Sequence, residues 1–434
     1  MREYALVFVI SAAVTFLVTP IARRLAVRVR AMSEVRDRDV HTIPTPRLGG
    51  IAMYAGVVAG MLVASQLPFL SAVARDYGEP RAVLVASGLI CLLGAIDDRW
   101  PLDALTKLAG QVACAGVMVL LGVQLSFALM PNGNTLSLTA ETAIPLTIFV
   151  ALVLVNAMNM VDGLDGLAAG VGAVAALAAF AYAYHLAVSN QIYRATPAAL
   201  IAVVTAGACV GFLPHNFYPA RVFMGDSGSM LIGLLLAASM TSVTGEVSYG
   251  GVAGTSALPS LIPLAVPLAV LAVPFMDLLL AVVRRTRRGR SPFSPDKQHL
   301  HHRLLEIGNS HRRAVLFMWF WAALFGFGGV VASLSSGPVA VLCVGAMVVV
   351  CSALLLIRQP GLVGFGGAGA NGHGRTAGGP RPDPPAAALA GRDGYAGRAR
   401  RLAKTGATGP ARYGRAGTAG DQAPPPGAGK SAGS

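Results

Sequence analysis

Eleven long apolar runs dominate the 434-residue sequence and constrain its fold more than any other feature. The apolar core of a bilayer is about 30 Å thick and requires roughly 20 apolar residues per spanning helix. The runs lie at 5–22, 48–66, 82–96, 105–121, 144–158, 166–187, 198–213, 229–243, 258–282, 314–334 and 337–357. They predict an all-α polytopic integral membrane protein with about eleven transmembrane helices.

The distribution of basic residues predicts the orientation of these helices. Only 12% of the residues are charged, yet the net charge is +14, and soluble proteins usually carry about twice that share of charged residues. The segments after the first and ninth runs are rich in arginine, whereas residues 122–143 and 244–257 contain no Lys or Arg. Since basic loops stay inside, we expect the N-terminus outside, the C-terminus in the cytoplasm, and a location in the plasma membrane. The basic charge is thereby explained without a nucleic-acid partner.

The end of the chain differs in composition from the rest. Residues 358–434 are rich in Gly, Ala, Pro and Arg and contain almost no large apolar side chains. Such a segment buries too little apolar surface to offset the entropy of ordering. We therefore predict two parts, a membrane-embedded domain over 1–357 and a disordered basic cytoplasmic tail over 358–434. The alternative to a tail that is simply solvated is one that binds anionic lipid headgroups.

Acidic residues are scarce and lie at the predicted cytoplasmic ends of the helices. Ionisable residues at membrane depth are costly and point to function. Carboxylates converging on one face repel each other unless a cation lies among them, and hard oxygen ligands suit Mg²⁺ or Mn²⁺. A plain polar helix end remains the alternative for some of them. The residues concerned are Asp97, Asp98, Asp162, Asp165, Asp226 and Asp277.

Two polar clusters carry the strongest chemical signal. Asn156, Asn159, Asp162 and Asp165 recur every three residues, which keeps them near one side of a helical turn. Asp226 precedes an apolar helix, so it is either the N-cap of that helix or part of a phosphate site at the helix N-terminus.

A third cluster contains His299, His301 and His302, next to Arg303 in a long basic loop. Zinc is one interpretation, but three histidines without a spaced partner are a weak zinc pattern. A basic wall that binds an anion opposite the carboxylates fits the loop better.

Five motifs in order resemble the polyprenyl-phosphate N-acetylhexosamine-1-phosphate transferase family, glycosyltransferase family 4. They are PRLGG (Pro46 to Gly50), AIDDRW, NxxNxxDGLDGL, VFMGDSGS and HLHHRL. The resemblance covers residues 1 to about 357. PRLGG and HLHHRL look more like the branch that uses UDP-GlcNAc than like the phospho-N-acetylmuramoyl-pentapeptide translocases, which are the alternative. In the family, the motif AIDDRW often continues with a third acid three residues after the second. In this sequence Pro101 occupies that position, and the next acid is Asp103.

The resemblance implies transfer of GlcNAc-1-phosphate from UDP-GlcNAc to a polyprenyl phosphate, giving UMP and polyprenyl-diphospho-GlcNAc. This reaction would initiate the synthesis of a cell-wall or cell-surface polysaccharide. The implied cofactor is Mg²⁺, with Mn²⁺ as the alternative, and relatives suggest a homodimer. A cation-coupled transporter is the competing class, although its acids should lie near the bilayer midplane.

The resemblance also assigns roles to single residues. Asp97, the family's proposed base, and its neighbour Asp98 are assigned to catalysis, with positioning of the metal or the acceptor as the alternative for this pair. Phe223 is placed to stack on uracil, or is simply a buried aromatic. The remaining assignments are Asp226 and Asn159 for the metal, His301 and His302 for catalysis, and Asp162, Asp165, Asn216, His299 and Arg303 for substrate binding.

Overall fold

The computed structural model describes residues 1–33, 44–129, 135–188, 193–246, 286 and 310–334. All of them belong to one compact unit of the chain, Met1–Leu362. The predicted spans at 258–282 and 337–357 lie outside the described residues, as does the tail at 358–434. The division of the chain at residue 357 therefore stays a prediction.

Helices make up most of the described chain, which confirms the predicted helical class. They are α1 (Arg2–Arg28), α2 (Gly49–Ala64), α3 (Leu70–Asp76), α4 (Glu79–Arg99), α5 (Ala104–Leu120), α6 (Ala140–Val161), α7 (Leu167–Val188), α8 (Thr196–Asn216), α9 (Gly225–Glu246) and α10 (His311–Leu334). Seven of these described helices are long and apolar enough to cross a membrane, namely α1, α4, α6, α7, α8, α9 and α10. The shorter α2 and α5 are also apolar.

Two elements were not predicted from the sequence. The short helix α3 follows α2, and two three-residue strands form an antiparallel hairpin between α5 and α6. The strands are β1 (Phe127–Leu129) and β2 (Thr135–Ser137), with Ala128 opposite Leu136. The helices over the short runs 82–96 and 144–158 are longer than those runs, because polar residues at their ends continue the helical hydrogen bonding.

The centre of the described bundle is formed by α8 and α9. Within their spanning windows 89% of α8 and 94% of α9 is buried, compared with 28% of α1. Small residues allow α1 to approach α8 closely, and Ser11 Oγ donates to the carbonyl of Val204 at 2.9 Å. Since α9 is enclosed, its first residue, Gly225, can be approached by side chains from several neighbouring helices.

Candidate active site

Several helix ends meet at one end of the bundle. Among them, α4, α6 and α8 finish here, and α2, α5, α7 and α9 begin. These ends lie together because successive helices run in opposite directions, with a short connection reversing the chain between them. The predicted acids of three separate motifs therefore converge on the first turn of α9.

Lys107 is the charged centre of this region. Its ammonium nitrogen lies 2.8 Å from Asp97 Oδ2 and 2.8 Å from Asp226 Oδ2. The Lys107 side chain is 19% exposed, and that of Asp97 is 8% exposed. Such partly desolvated pairs are stronger than surface pairs because water screens them less. Lys107 thus holds two carboxylates from α4 and α9 within one small volume.

Asn159 completes the polar surroundings of Asp226. Its side-chain amide donates to Asp226 Oδ1 and, at 3.0 Å, to Ser229 Oγ. One turn deeper, Asn156 donates to Gln111 Oε1 at 2.8 Å, which joins α6 to α5. The structure therefore brings the two predicted metal ligands, Asp226 and Asn159, into direct contact.

The two adjacent aspartates of α4 have different partners. Asp97 Oδ1 accepts from the backbone of Leu102 at 2.7 Å, and its other oxygen faces Lys107. Asp98 is 6% exposed, and its carboxylate accepts from the backbone N–H groups of Asp226 at 2.9 Å and Ser227 at 3.1 Å. Only the first aspartate of the pair faces the charged centre.

The DGLDG loop between α6 and α7 is held by α8 and the segment that follows it. The Asn216 side chain accepts from Gly166 N at 3.1 Å and donates to the carbonyl of Val222 at 3.0 Å. Asp165 accepts from the backbone of Ala220 at 2.9 Å. The predicted contacts of Asn216 and Asp165 with a nucleotide sugar stay predictions, and both side chains link loops in this structure.

Asp162 directly follows α6 and faces the same acidic region. Burial, followed by the negative charges of Asp226 and Asp98, raises the pKa of Asp162 from 3.8 to about 7, while Arg47 opposes this shift. Near neutral pH this carboxyl group therefore titrates next to the charged centre.

The PRLGG segment pairs with the segment before α9 through the backbone. Phe223 N donates to Pro46 O at 2.8 Å, Gly49 N donates to Phe223 O at 3.1 Å, and Gly50 N donates to Met224 O at 3.1 Å. The Phe223 side chain is partly exposed, and its stacking on uracil stays a prediction. Two of the five sequence motifs are thus joined directly.

The displaced acid of the aspartate motif has a structural partner. Asp103 is the N-cap of α5, where Oδ1 accepts from Leu105 N at 3.1 Å and from Thr106 N at 3.0 Å. The hydrogen bonds from Thr106 lower the pKa of Asp103. Asp103 thereby fixes the start of the helix that carries Lys107.

Four predicted site residues, His299, His301, His302 and Arg303, lie outside the described residues. Sequence reasoning missed Lys107, although a signal existed, since it is the one charged residue within the apolar run 105–121. It also missed that Asp97 faces Lys107, whereas Asp98 faces the first turn of α9.

The described helices are those of a multi-pass membrane protein, and comparisons with known proteins identify it as a transferase. Residues 81–244 match the family described as glycosyl transferase family 4. The chain belongs to this polyprenyl-phosphate N-acetylhexosamine-1-phosphate transferase family, which confirms the family predicted from the sequence.

Relatives with curated names resemble the chain over most of their length. The decaprenyl-phosphate N-acetylglucosaminephosphotransferase of Mycolicibacterium smegmatis is 48% identical over 76% of this chain and 82% of its own. The protein of the same name from Mycobacterium tuberculosis is 49% identical over the same shares. A probable undecaprenyl-phosphate N-acetylglucosaminyl 1-phosphate transferase of Bacillus subtilis is 30% identical over 76% of this chain and 85% of its own.

Proposed function

We propose that the chain transfers GlcNAc-1-phosphate from UDP-GlcNAc to a polyprenyl phosphate. An oxygen of the lipid phosphate forms a bond to the β-phosphorus of UDP-GlcNAc, and the bond from that phosphorus to the bridging oxygen breaks. The products are polyprenyl-diphospho-GlcNAc and UMP, so every atom of the two substrates is accounted for. The names of the relatives support both the donor and the lipid acceptor.

The observation that carries this proposal is the pairing of Lys107 with carboxylates of α4 and α9. Both substrates are anions, so bringing them together requires positive charge at a fixed position. One ammonium group between two carboxylates leaves the cluster of Lys107, Asp97 and Asp226 with a net negative charge, so the required positive charge would come from a divalent cation held there. A lipid phosphate with a second pKa of about 6 is already ionised at neutral pH, so the reaction needs no strong general base. Asp97 is therefore proposed to keep Lys107 in place.

The donor atoms fit a Mg²⁺ ion, with Mn²⁺ as the alternative. Mg²⁺ is usually held by one or two carboxylates together with substrate phosphates and waters. Asp226 supplies a carboxylate that keeps negative charge beside Lys107, and Asn159 lies against it with its amide nitrogen, so the amide would turn over to present its oxygen to an ion. Asp226 and Asn159 would hold the ion, which would neutralise the diphosphate and the leaving UMP.

The location and orientation are part of the same proposal. We place the site at the cytoplasmic face of the plasma membrane, with the N-terminus outside, the C-terminus inside and eleven spans in all. Support comes from Arg28 at the end of α1, which lies at the same end of the bundle as the PRLGG pairing. A homodimer likewise stays a prediction.

Product analysis with purified protein tests the proposal. Labelled UDP-GlcNAc and decaprenyl phosphate are supplied with Mg²⁺, and mass spectrometry follows the lipid product while chromatography follows UMP. We expect equal amounts of UMP and polyprenyl-diphospho-GlcNAc, no UMP without the lipid, and no product in EDTA until Mg²⁺ or Mn²⁺ is restored. Faster use of UDP-N-acetylmuramoyl-pentapeptide, or UMP release without the lipid, would overturn the assignment.

A further inference from the structure

The carboxylate of Asp98 is directed at the first turn of α9 and away from Lys107. We propose that Asp98 is a positioning residue, which caps α9 from the neighbouring helix α4 and thereby fixes Asp226. The cap itself is independent of the reaction, whereas its effect on turnover rests on the proposed function.

Hydrogen bonding explains why α9 needs such a cap. The first N–H groups of a helix have no partner within the helix, and a carboxylate there is also favoured by the helix dipole. Asp98 Oδ1 accepts from Asp226 N at 2.9 Å, and Asp98 Oδ2 accepts from Ser227 N at 3.1 Å. With an exposure of 6%, Asp98 is shielded from water that would otherwise compete for these donors.

Two glycines make room for this contact between helices. Gly225 has a φ of +70°, and a Cβ at this position would lie 2.3 Å from Asp98 Oδ2. A Cβ on Gly94 would lie 2.4 Å from Ser227 N. Since neither side chain would fit, the sequence keeps α4 and the first turn of α9 close enough for the cap to form.

The cap acts on the residue that faces the charged centre. The N–H that donates to Asp98 belongs to Asp226, whose side chain meets Lys107 and Asn159. Losing the cap would leave two buried N–H groups without a partner, and the first turn of α9 would fray or shift. A displacement of about 1 Å at a reacting centre lowers turnover by about a hundredfold.

The position of Gly225 allows a specific rescue. Because a Cβ there would occupy the volume of the Asp98 carboxylate, Gly225→Asn is compatible with the fold only when Asp98 is shortened. Asn tolerates a positive φ and accepts hydrogen bonds from nearby backbone N–H groups. The double variant Asp98→Ala, Gly225→Asn therefore supplies a new acceptor at the same helix end without an acid.

The experiment compares Asp98→Asn, Asp98→Ala, Gly225→Asn and the double variant with the wild type. Hydrogen exchange of the peptide containing Asp226 and Ser227, and the unfolding temperature, are measured in EDTA. Turnover per folded protein is measured with Mg²⁺. We expect both Asp98 variants to exchange faster, to unfold at lower temperature and to lose turnover by about a hundredfold. The double variant should recover in all three measurements, whereas Gly225→Asn alone should not.

Two results would overturn the proposal. One is lost turnover with unchanged exchange and unfolding temperature, which would assign Asp98 to the chemistry. The other is faster exchange with unchanged turnover, which would leave the cap without influence on Asp226. If the wild type forms no lipid product from UDP-GlcNAc, the proposed function fails, but exchange and unfolding still report on the cap. If the alanine variants do not fold, the same three measurements on Asp98→Asn, the mildest change, decide the question.

Discussion

At the level of single residues, the charge balance of the site depends on Lys107. Among the described residues, its ammonium group forms an ion pair with both Asp97 and Asp226. Without it, two carboxylates from different helices would face each other with no ammonium group between them. Removing one partner of a buried ion pair costs more than the pair itself contributes, because the remaining charge is left uncompensated.

We therefore expect Lys107→Met, which preserves length and removes the charge, to lower turnover by at least about a hundredfold. Steady-state formation of UMP by purified protein measures this effect. Asp103→Asn is the matched control, since Asp103 is an exposed acid on the same segment that serves as a helix cap, and Asn is also a good cap. Near-normal turnover of Lys107→Met, or a comparable loss in Asp103→Asn, would contradict the assigned roles.

The raised pKa of Asp162 gives a second prediction for a single residue. In the unfolded chain Asp162 ionises near 3.8, whereas in the folded state its pKa is about 7. Between these values the folded state binds more protons than the unfolded state, so rising pH lowers the free energy of unfolding. Asp162→Asn removes this penalty. In EDTA, the unfolding temperature of the variant relative to the wild type should increase from pH 5 to pH 8, and a constant difference would contradict the shift.

The acids of the site were predictable from the sequence, but their division of roles was not. Asp97, Asp162 and Asp226 stand out because acidic residues are scarce in this sequence. Whether Asp97 or Asp98 faces Lys107 depends on the rotation of α4, since consecutive helical residues differ by about 100°. That rotation follows from the packing of α4 on α9, which involves residues far apart in sequence. Lys107 was not predicted as a site residue, because the positive-inside rule alone accounts for a basic residue near a cytoplasmic loop.

At the level of elements, the pairing between PRLGG and the start of α9 determines where the motifs meet. Gly50 N donates to Met224 O at 3.1 Å, and a Cβ on Gly50 would lie 2.2 Å from the backbone carbon of Ser227. Two backbones therefore touch at a glycine, and a larger residue would separate them. The paired segments therefore contact the start of α9 in addition to the Asp98 cap.

Gly50→Ala should consequently displace the first turn of α9. We expect a lower unfolding temperature, with a loss of about 1–3 kcal/mol typical of overpacking, and reduced turnover. Gly116→Ala is the matched control, because a Cβ at Gly116 would meet nothing within 4 Å. Thermal unfolding in detergent and UMP formation check both variants. Equal effects of the two substitutions would show that contact at Gly50 is not the cause.

Apolar runs predicted the long helices well but gave no information on the shorter elements. Helix α3 has seven residues, too few for a spanning run, and its start is held by Glu3, which accepts from Leu70 N at 2.9 Å. This contact joins residues 67 positions apart, and no local pattern encodes it. The hairpin of β1 and β2 is equally short, and strands of three residues carry too little periodicity to be recognised.

At the level of the whole molecule, the alternation of helices places the acids and the hairpin at opposite ends of the bundle. Helix α5 leads from Lys107 to β1, and α6 leads from β2 back to Asn159. A UDP-sugar carries two phosphates, and charged groups do not cross the apolar core unaided. Under the proposed function the acidic end faces the compartment that holds the donor, and the arginine-rich segment after α1 favours the cytoplasm.

Cysteine labelling tests this orientation directly. All five cysteines are first replaced by alanine, and single cysteines are then introduced as Ser137→Cys in the hairpin and Arg28→Cys at the end of α1. Both positions are exposed in the described part of the chain. A membrane-impermeant maleimide should label Ser137→Cys in intact cells and Arg28→Cys only after permeabilisation, while both variants still form the lipid product. Labelling in the reverse pattern would place Lys107 and its carboxylates outside the cell, where the proposed donor is absent.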